Sequence, residues 1–169
     1  MNFDEAFKIT VGHEGGLTLH KQDRGNWTSG KVGVGELKGT KYGISAMAYP
    51  KEDIKNLTLE RAKQLYKRDY WDKCRCDELP SGLRFHVFDV AVNSGVVRAI
   101  QTLQQAAGVK DDGIIGPATL AAVRSKEPCD LLMLFYSFRI AFYTSIGTFG
   151  TFGKGWMNRV AANLKIGLK

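Results

Sequence analysis

Apolar and polar positions alternate along the chain mostly with a helical period. Phe3, Phe7, Thr10, Val11 and Glu14 fall on one face at 3.6-residue spacing, which predicts an amphipathic helix over 3–14 ended by Gly15 and Gly16. From 15 to 45 the chain turns to Gly, Thr and Lys with short β-prone pieces such as "KVGVGELKGTKYGIS", predicting loops and a small hairpin near residues 30–45. A helix then starts at Thr58, whose hydroxyl can cap it, and runs through "LERAKQLYKRDYW". The segment "GLRFHVFDVAVNSG" is apolar on nearly all sides, as expected of a helix at the centre of a domain. Helical runs follow in "VVRAIQTLQQAAG", in "GPATLAAVRSK" with Pro117 in its first turn, and in "CDLLMLFYSFRIAFYTSIG"; a short segment, "GWMNRVAANLKI", closes the chain. With no internal repeat and no low-complexity linker, the fold expected is mainly α, a single domain over 1–169.

Composition adds a constraint on partners. The 169 residues are 44% hydrophobic, ordinary for a packed core, and the formal charge is +7, which calls for an anionic partner: nucleic acid, a membrane surface or an acidic cell-wall polymer. The basic residues are scattered and carry no helix-turn-helix, zinc-finger or aromatic RNA-binding signature, so nucleic acid is set aside. From Leu131 onward there are five basic residues and no acid. That segment offers two readings. Trp156, Met157, Val160 and Leu164 can form a stripe on an anionic outer membrane, with Arg159 and Lys165 elsewhere, or the last helix packs on the core, the reading we favour.

The opening "MNFDEAFKI" lacks a cationic start and an apolar core, and no stretch of about 18 apolar residues occurs, so synthesis as a soluble cytoplasmic protein without a signal peptide is expected. Cys74, Cys76 and Cys129 are odd in number and read as reduced thiols. Zinc at Cys74 and Cys76 with His13, His20 or His86 is the weaker reading against ordinary buried or surface roles, so neither metal nor cofactor is expected.

Two carboxyls hold candidate chemistry. Glu14, drawn onto an apolar stripe, would lose hydration of its charged form and rise toward the range where a carboxylic acid donates a proton near neutrality. Asp23, in a polar glycine-containing loop, would stay ionised and support positive charge or position a water. Each has a plainer alternative: Glu14 ends a helix and reaches water, and Asp23 caps its own turn.

Four segments then occur in a recognisable order: "EGGLTLHKQDRGNWTSGKVGVGELKGTKYGIS", "FDVAVNSG", "DDGIIGPATLAAV" and "FGTFGKGWMNRV". Together they resemble glycoside hydrolase family 108 over almost the whole chain. The resemblance implies a lysozyme-like helical fold and N-acetylmuramidase activity of the phage-endolysin type, with a catalytic part over 1–95 and a part resembling a peptidoglycan-binding region over 96–169. It implies Glu14 as the general acid. A wider parallel with phage-type lysozymes adds Asp23 and Thr40 as its partners in a loop and a hairpin, although "RGNWTSGKVGVGELKG" stands where many relatives have a short D-P-G-G turn. Thr40 can hold a water by its hydroxyl or be an ordinary strand residue. Tyr42, Trp27 and Asn93 are candidates for lining a sugar cleft by stacking and amide hydrogen bonds, while Asn93 also suits a helix end beside Gly95.

The expected function is therefore cleavage of the β-1,4 bond between N-acetylmuramic acid and N-acetylglucosamine by a monomer acting on bacterial peptidoglycan in the periplasm or wall, after release through a holin. A lytic transglycosylase using Glu14 alone and a non-catalytic peptidoglycan-binding protein are the alternatives.

Overall fold

The structure, a computed structural model, describes residues 1–12 and 16–167. It forms two compact units, Phe7–Lys67 and the pair of segments Met1–Ala6 and Arg68–Lys169. This division follows packing, whereas the boundary drawn at residues 95 and 96 in the sequence follows motif content.

Helix α1 (Phe3–Val11) begins the chain, with Asp4 and Glu5 in its first turn, where carboxylates oppose the positive end of the helix. It ends earlier than expected. Gly12 takes the left-handed conformation, φ +69°, and closes α1 at Val11, while Gly15, where the stop was expected, lies outside the described residues. The described helix thus ends before Glu14, whose placement on its apolar stripe lies outside the described residues.

The unit Phe7–Lys67 is mostly irregular. Its hairpin is shorter than the 30–45 expected: β1 (Thr40–Lys41) pairs antiparallel with β2 (Ile44–Ser45), in register Thr40 to Ser45 and Lys41 to Ile44. Tyr42 and Gly43 make the turn with φ of 51° and 74°, the two positive values that a two-residue type I′ turn requires. Gly43 cannot be replaced freely, since a Cβ there would meet the Tyr66 hydroxyl. Outside the two strands, single bridges pair Thr18 with Thr40 and, within residues 30–39, Leu37 with Trp27. Helix α2 (Leu59–Tyr66) starts where the sequence predicts, with the Thr58 hydroxyl accepting from Arg61 N at 3.1 Å. The helical path continues through a π-helical turn, Lys67–Trp71.

The other unit is a helical bundle of α3 (Ser81–Ser94), α4 (Val96–Ala107), α5 (Pro117–Ser125), α6 (Pro128–Ser145) and α7 (Phe149–Leu164). As its all-round apolar pattern requires, α3 is buried on every side and packs on α4 and α6. Phe3, Trp71 and Phe88 add a cluster of edge-to-face rings at 5.5–5.8 Å. Pro117 opens α5 as expected. Helix α7 begins six residues before Gly155, where the closing segment was read, and within it a Cβ at Gly153 would collide with the Phe149 ring.

A buried carboxylate ties three helices of this bundle together. Asp89 of α3 is fully buried and accepts from Arg139 of α6 at 2.7 Å, from Arg159 of α7 at 2.6 and 2.9 Å, and from Asn163 of α7 at 2.7 Å. Arg139 also donates to the Tyr143 hydroxyl. Part of the stripe weighed above for a membrane surface packs on the core: Trp156 stacks on Tyr143 at 5.1 Å, Val160 is buried and Arg159 pairs with Asp89, while Leu164 is exposed. Of the zinc candidates, Cys74, Cys76 and His86 are all buried, and His86 bonds the Tyr136 hydroxyl and the Gly167 carbonyl, both at 2.7 Å.

Removing Asp89 strands Arg139 in the core. Asp89→Ala is expected to cost about 3–5 kcal/mol, measurable as a lowered urea midpoint, whereas Asp130→Ala on the exposed start of α6 stays within about 0.5 kcal/mol. His86 gives a pH signature. Burial holds its imidazole below the ordinary value, against the opposing pull of the Gly167 carbonyl and of Asp89. The unfolded chain therefore takes the proton first, and stability falls as pH drops below about 6.5 toward the lowered folded value. Unfolding midpoints measured from pH 7.5 to 5 should decline in the wild type and decline less in His86→Gln.

Candidate active site

The loop after α1 is held by side chains where regular ladders are lacking. Asp23 stands at the start of a 3-10 turn, Arg24–Asn26, and its Oδ1 accepts from Gly25 N at 2.8 Å. This is the turn-capping role weighed against a catalytic one. It leaves the side chain exposed, and among the described residues Oδ2 accepts no hydrogen bond. The cap fixes where the carboxylate points without consuming it.

Asn26, the last residue of that turn, is fully buried. Its backbone N–H donates to the Asp23 carbonyl at 3.1 Å, and its own carbonyl accepts from Lys38 N and Gly39 N, both at 3.0 Å. Its side chain works in both directions: Nδ2 donates to the His20 carbonyl at 3.1 Å, and Oδ1 accepts from the Thr40 hydroxyl at 2.7 Å. Every polar group of this residue is satisfied, as burial demands. One amide thereby joins the Asp23 loop to β1 and sets the Thr40 side chain, whose hydroxyl oxygen keeps acceptor capacity for a water.

Trp27 follows directly. Its indole donates to the Lys21 carbonyl at 2.8 Å, and its ring is half-buried. Tyr42 sits at the hairpin turn in a left-handed conformation that bulky residues seldom adopt. The Tyr66 hydroxyl donates to the Tyr42 carbonyl at 3.3 Å, and the Lys41 ammonium lies 5.5 Å from the Tyr42 ring centroid. Asp23, Trp27, Thr40 and Tyr42 therefore share one unit, linked through Asn26 and the hairpin. Asn93 belongs to the other unit, on α3, where its Nδ2 donates back to the Asp89 carbonyl at 2.7 Å. Glu14 lies outside the described residues. Among those residues, no group of His, Cys, Asp and Glu side chains is arranged to hold a metal ion.

Sequence reasoning passed over Asn26. Its signal was weak, a single amide within "RGNW" in a stretch with no hydrophobic period to read.

A helical chain with one short antiparallel hairpin, and with a loop carboxylate beside that hairpin, has the lysozyme-like fold of a glycosidase. The chain belongs to glycoside hydrolase family 108: the family described as Glycosyl hydrolase 108 matches residues 7–95, and a second family, described as "Predicted Peptidoglycan domain", matches residues 98–161. It is thus a glycoside hydrolase acting on peptidoglycan. Among solved structures it is similar to SagA of Brucella abortus, with 35% sequence identity, a TM-score of 0.78, and coverage of 95% of this chain and 90% of that one. No curated protein matches the sequence.

Replacing Asn26 by Ala leaves the Thr40 hydroxyl without its acceptor and the His20 carbonyl with the Asp23 N–H alone. A loss of about 2–3 kcal/mol is expected, together with a fall in peptidoglycan hydrolysis larger than that of Ser29→Ala. Unfolding midpoints and dye release from labelled sacculi measure the two effects.

Proposed function

We propose that the enzyme is an N-acetylmuramidase that cleaves the β-1,4 bond between N-acetylmuramic acid and N-acetylglucosamine. The observation carrying this reading is the Asn26 amide, which fastens the Asp23 loop to the Thr40 hydroxyl within the segment matched by family 108. Glu14, in the E-G-G segment that resembles the family's signature, is the general acid that protonates the leaving glycosidic oxygen. Asp23 is the carboxylate that faces the developing oxocarbenium charge or orients the attacking water, and Thr40 holds that water by its hydroxyl oxygen. Tyr42 and Trp27 offer aromatic faces to the sugar rings. The net positive charge favours approach to an anionic envelope.

The resemblance to endolysins supports a phage lysis role, in which the protein is made in the cytoplasm and meets its substrate after release through a holin. A second reading draws on the cap at Asp23. Since that carboxylate already accepts from Gly25 N, a lytic transglycosylase needing Glu14 alone would use the same scaffold, closing a 1,6-anhydro ring with the substrate's own hydroxyl.

Product analysis distinguishes the two. Digestion of purified peptidoglycan followed by mass spectrometry should give reducing muramic acid ends from the wild type, and at least about a hundredfold less product from Glu14→Gln. Asp23→Asn should lower kcat more than it raises KM. Anhydro-muramic ends with Asp23→Asn fully active would establish the transglycosylase and retire the hydrolase.

A further inference from the structure

The unit Phe7–Lys67 carries an open groove of about 460 Å³ that the proposed chemistry does not use. Its apolar lining is Leu17, Leu19, Leu37 and Ile54, and its charged lining is Lys38, Lys51 and Lys55 with Asp53. The volume falls within the roughly 300–1,000 Å³ of small-ligand clefts, suited to a short segment more than to a polymer backbone.

The charges are only partly neutralised within the groove, where Asp53 feels the positive charge of Lys38 and Lys55. Asp53 is turned to its own loop, accepting from Asn56 N at 3.3 Å and Asn56 Nδ2 at 2.8 Å. Lys38 is partly engaged, donating to the Pro50 carbonyl at 2.8 Å and standing 3.4 Å from Glu36. Lys51 and Lys55 are exposed, and neither ammonium has an ion-pair partner among the described residues. A ligand for this groove therefore needs carboxylates spaced along a small, methyl-bearing body. A polyphosphate would meet the lysines but waste the four aliphatic side chains.

The position relates the groove to the candidate site within the same unit. Thr18 and Thr40 are bridge partners, so their side chains share one face of the ladder, and Leu17 and Leu19 point to the other. Gly39 confirms the second face: a Cβ there would collide with the Leu17 and Leu19 side chains and the Thr18 carbonyl. The Thr40 hydroxyl and the groove thus occupy opposite faces of one short ladder.

We infer that this groove binds the peptide stem of peptidoglycan, its alanine methyls on Leu17, Leu19, Leu37 and Ile54 and its carboxylates on Lys51 and Lys55. The inference rests on the muramidase reading for its substrate, and it adds a second foothold on the face of the ladder opposite Thr40. Stem-bearing strands are then held in preference to strands stripped of peptide.

Two measurements on the full chain test it. Methyl NMR of the wild type, titrated with the free stem tetrapeptide L-Ala-D-isoGlu-L-Lys-D-Ala, should shift the Leu17, Leu19, Leu37 and Ile54 methyls to saturation. The pair Lys51→Glu and Lys55→Glu should weaken that binding about tenfold, with Lys51→Gln and Lys55→Gln as the milder pair should the reversal disturb folding. In turnover, the preference for stem-bearing over stripped glycan, taken as a ratio of KM values, should fall by a similar factor in the variants. Absence of methyl shifts, shifts indifferent to both lysine pairs, or tighter binding of polyglycerol phosphate than of the peptide would overturn the inference. Saturable shifts without release of reducing muramic acid would retire the muramidase reading alone, and hydrolysis without shifts would retire the groove alone.

Discussion

A single buried amide carries the candidate site. The segment from Gly16 to Thr40 has almost no regular structure to satisfy its backbone, and a buried peptide group without a partner costs as much as a lost hydrogen bond. Asn26 meets that need with one short planar group, which donates to the His20 carbonyl and accepts from the Thr40 hydroxyl. A carboxylate would lack the donor, and a hydroxyl would be too short to span both. The position of Asp23 follows, because the turn it caps is the turn that delivers Asn26 to the interior.

The helical bundle solves a comparable problem with charge. Asp89 sits on α3, buried on all sides, where an uncompensated carboxylate would be prohibitive. Two guanidiniums and one amide surround it, and they come from α6 and α7. Such a network adds little net stability over an apolar core of the same volume, but it penalises any packing in which those helices slide in register. Arg159 of the last helix joins this network, while Trp156 of the same helix stacks on Tyr143.

Legibility in the sequence followed the kind of element. Helices with an explicit start, at Thr58 and at Pro117, were placed correctly because the cap chemistry is local. The end of α1 was misplaced because Gly12 falls inside the periodic run, and only its positive φ reveals that the run stops there. The hairpin was set too wide because Gly and β-prone residues over 30–39 look alike whether paired or held by single bridges. Helix α7 also takes in the glycines of "FGTFGKG" ahead of the closing segment read from Gly155, and at Gly153 a Cβ would meet the Phe149 ring. At the candidate site the residue types at Asp23, Thr40 and Tyr42 were legible, but the link among them was not. Asn26 joins residues up to fourteen positions apart, and no short-range period records such a bond.

Tyr42 shows how a motif and a strain coincide. The two-residue turn between β1 and β2 demands positive φ at both central positions, and Gly43 meets the demand without cost whereas Tyr42 does not. Asparagine or glycine would serve the turn better by about 1 kcal/mol. A bulky aromatic in that position is maintained against backbone preference, with the Tyr66 hydroxyl bonded to its carbonyl to hold it there. Strain of this kind is retained where the side chain is needed at a fixed angle. The hairpin thus carries the Tyr42 ring and the Thr40 hydroxyl on two strands of only two residues each, with its geometry set by the turn more than by the ladder.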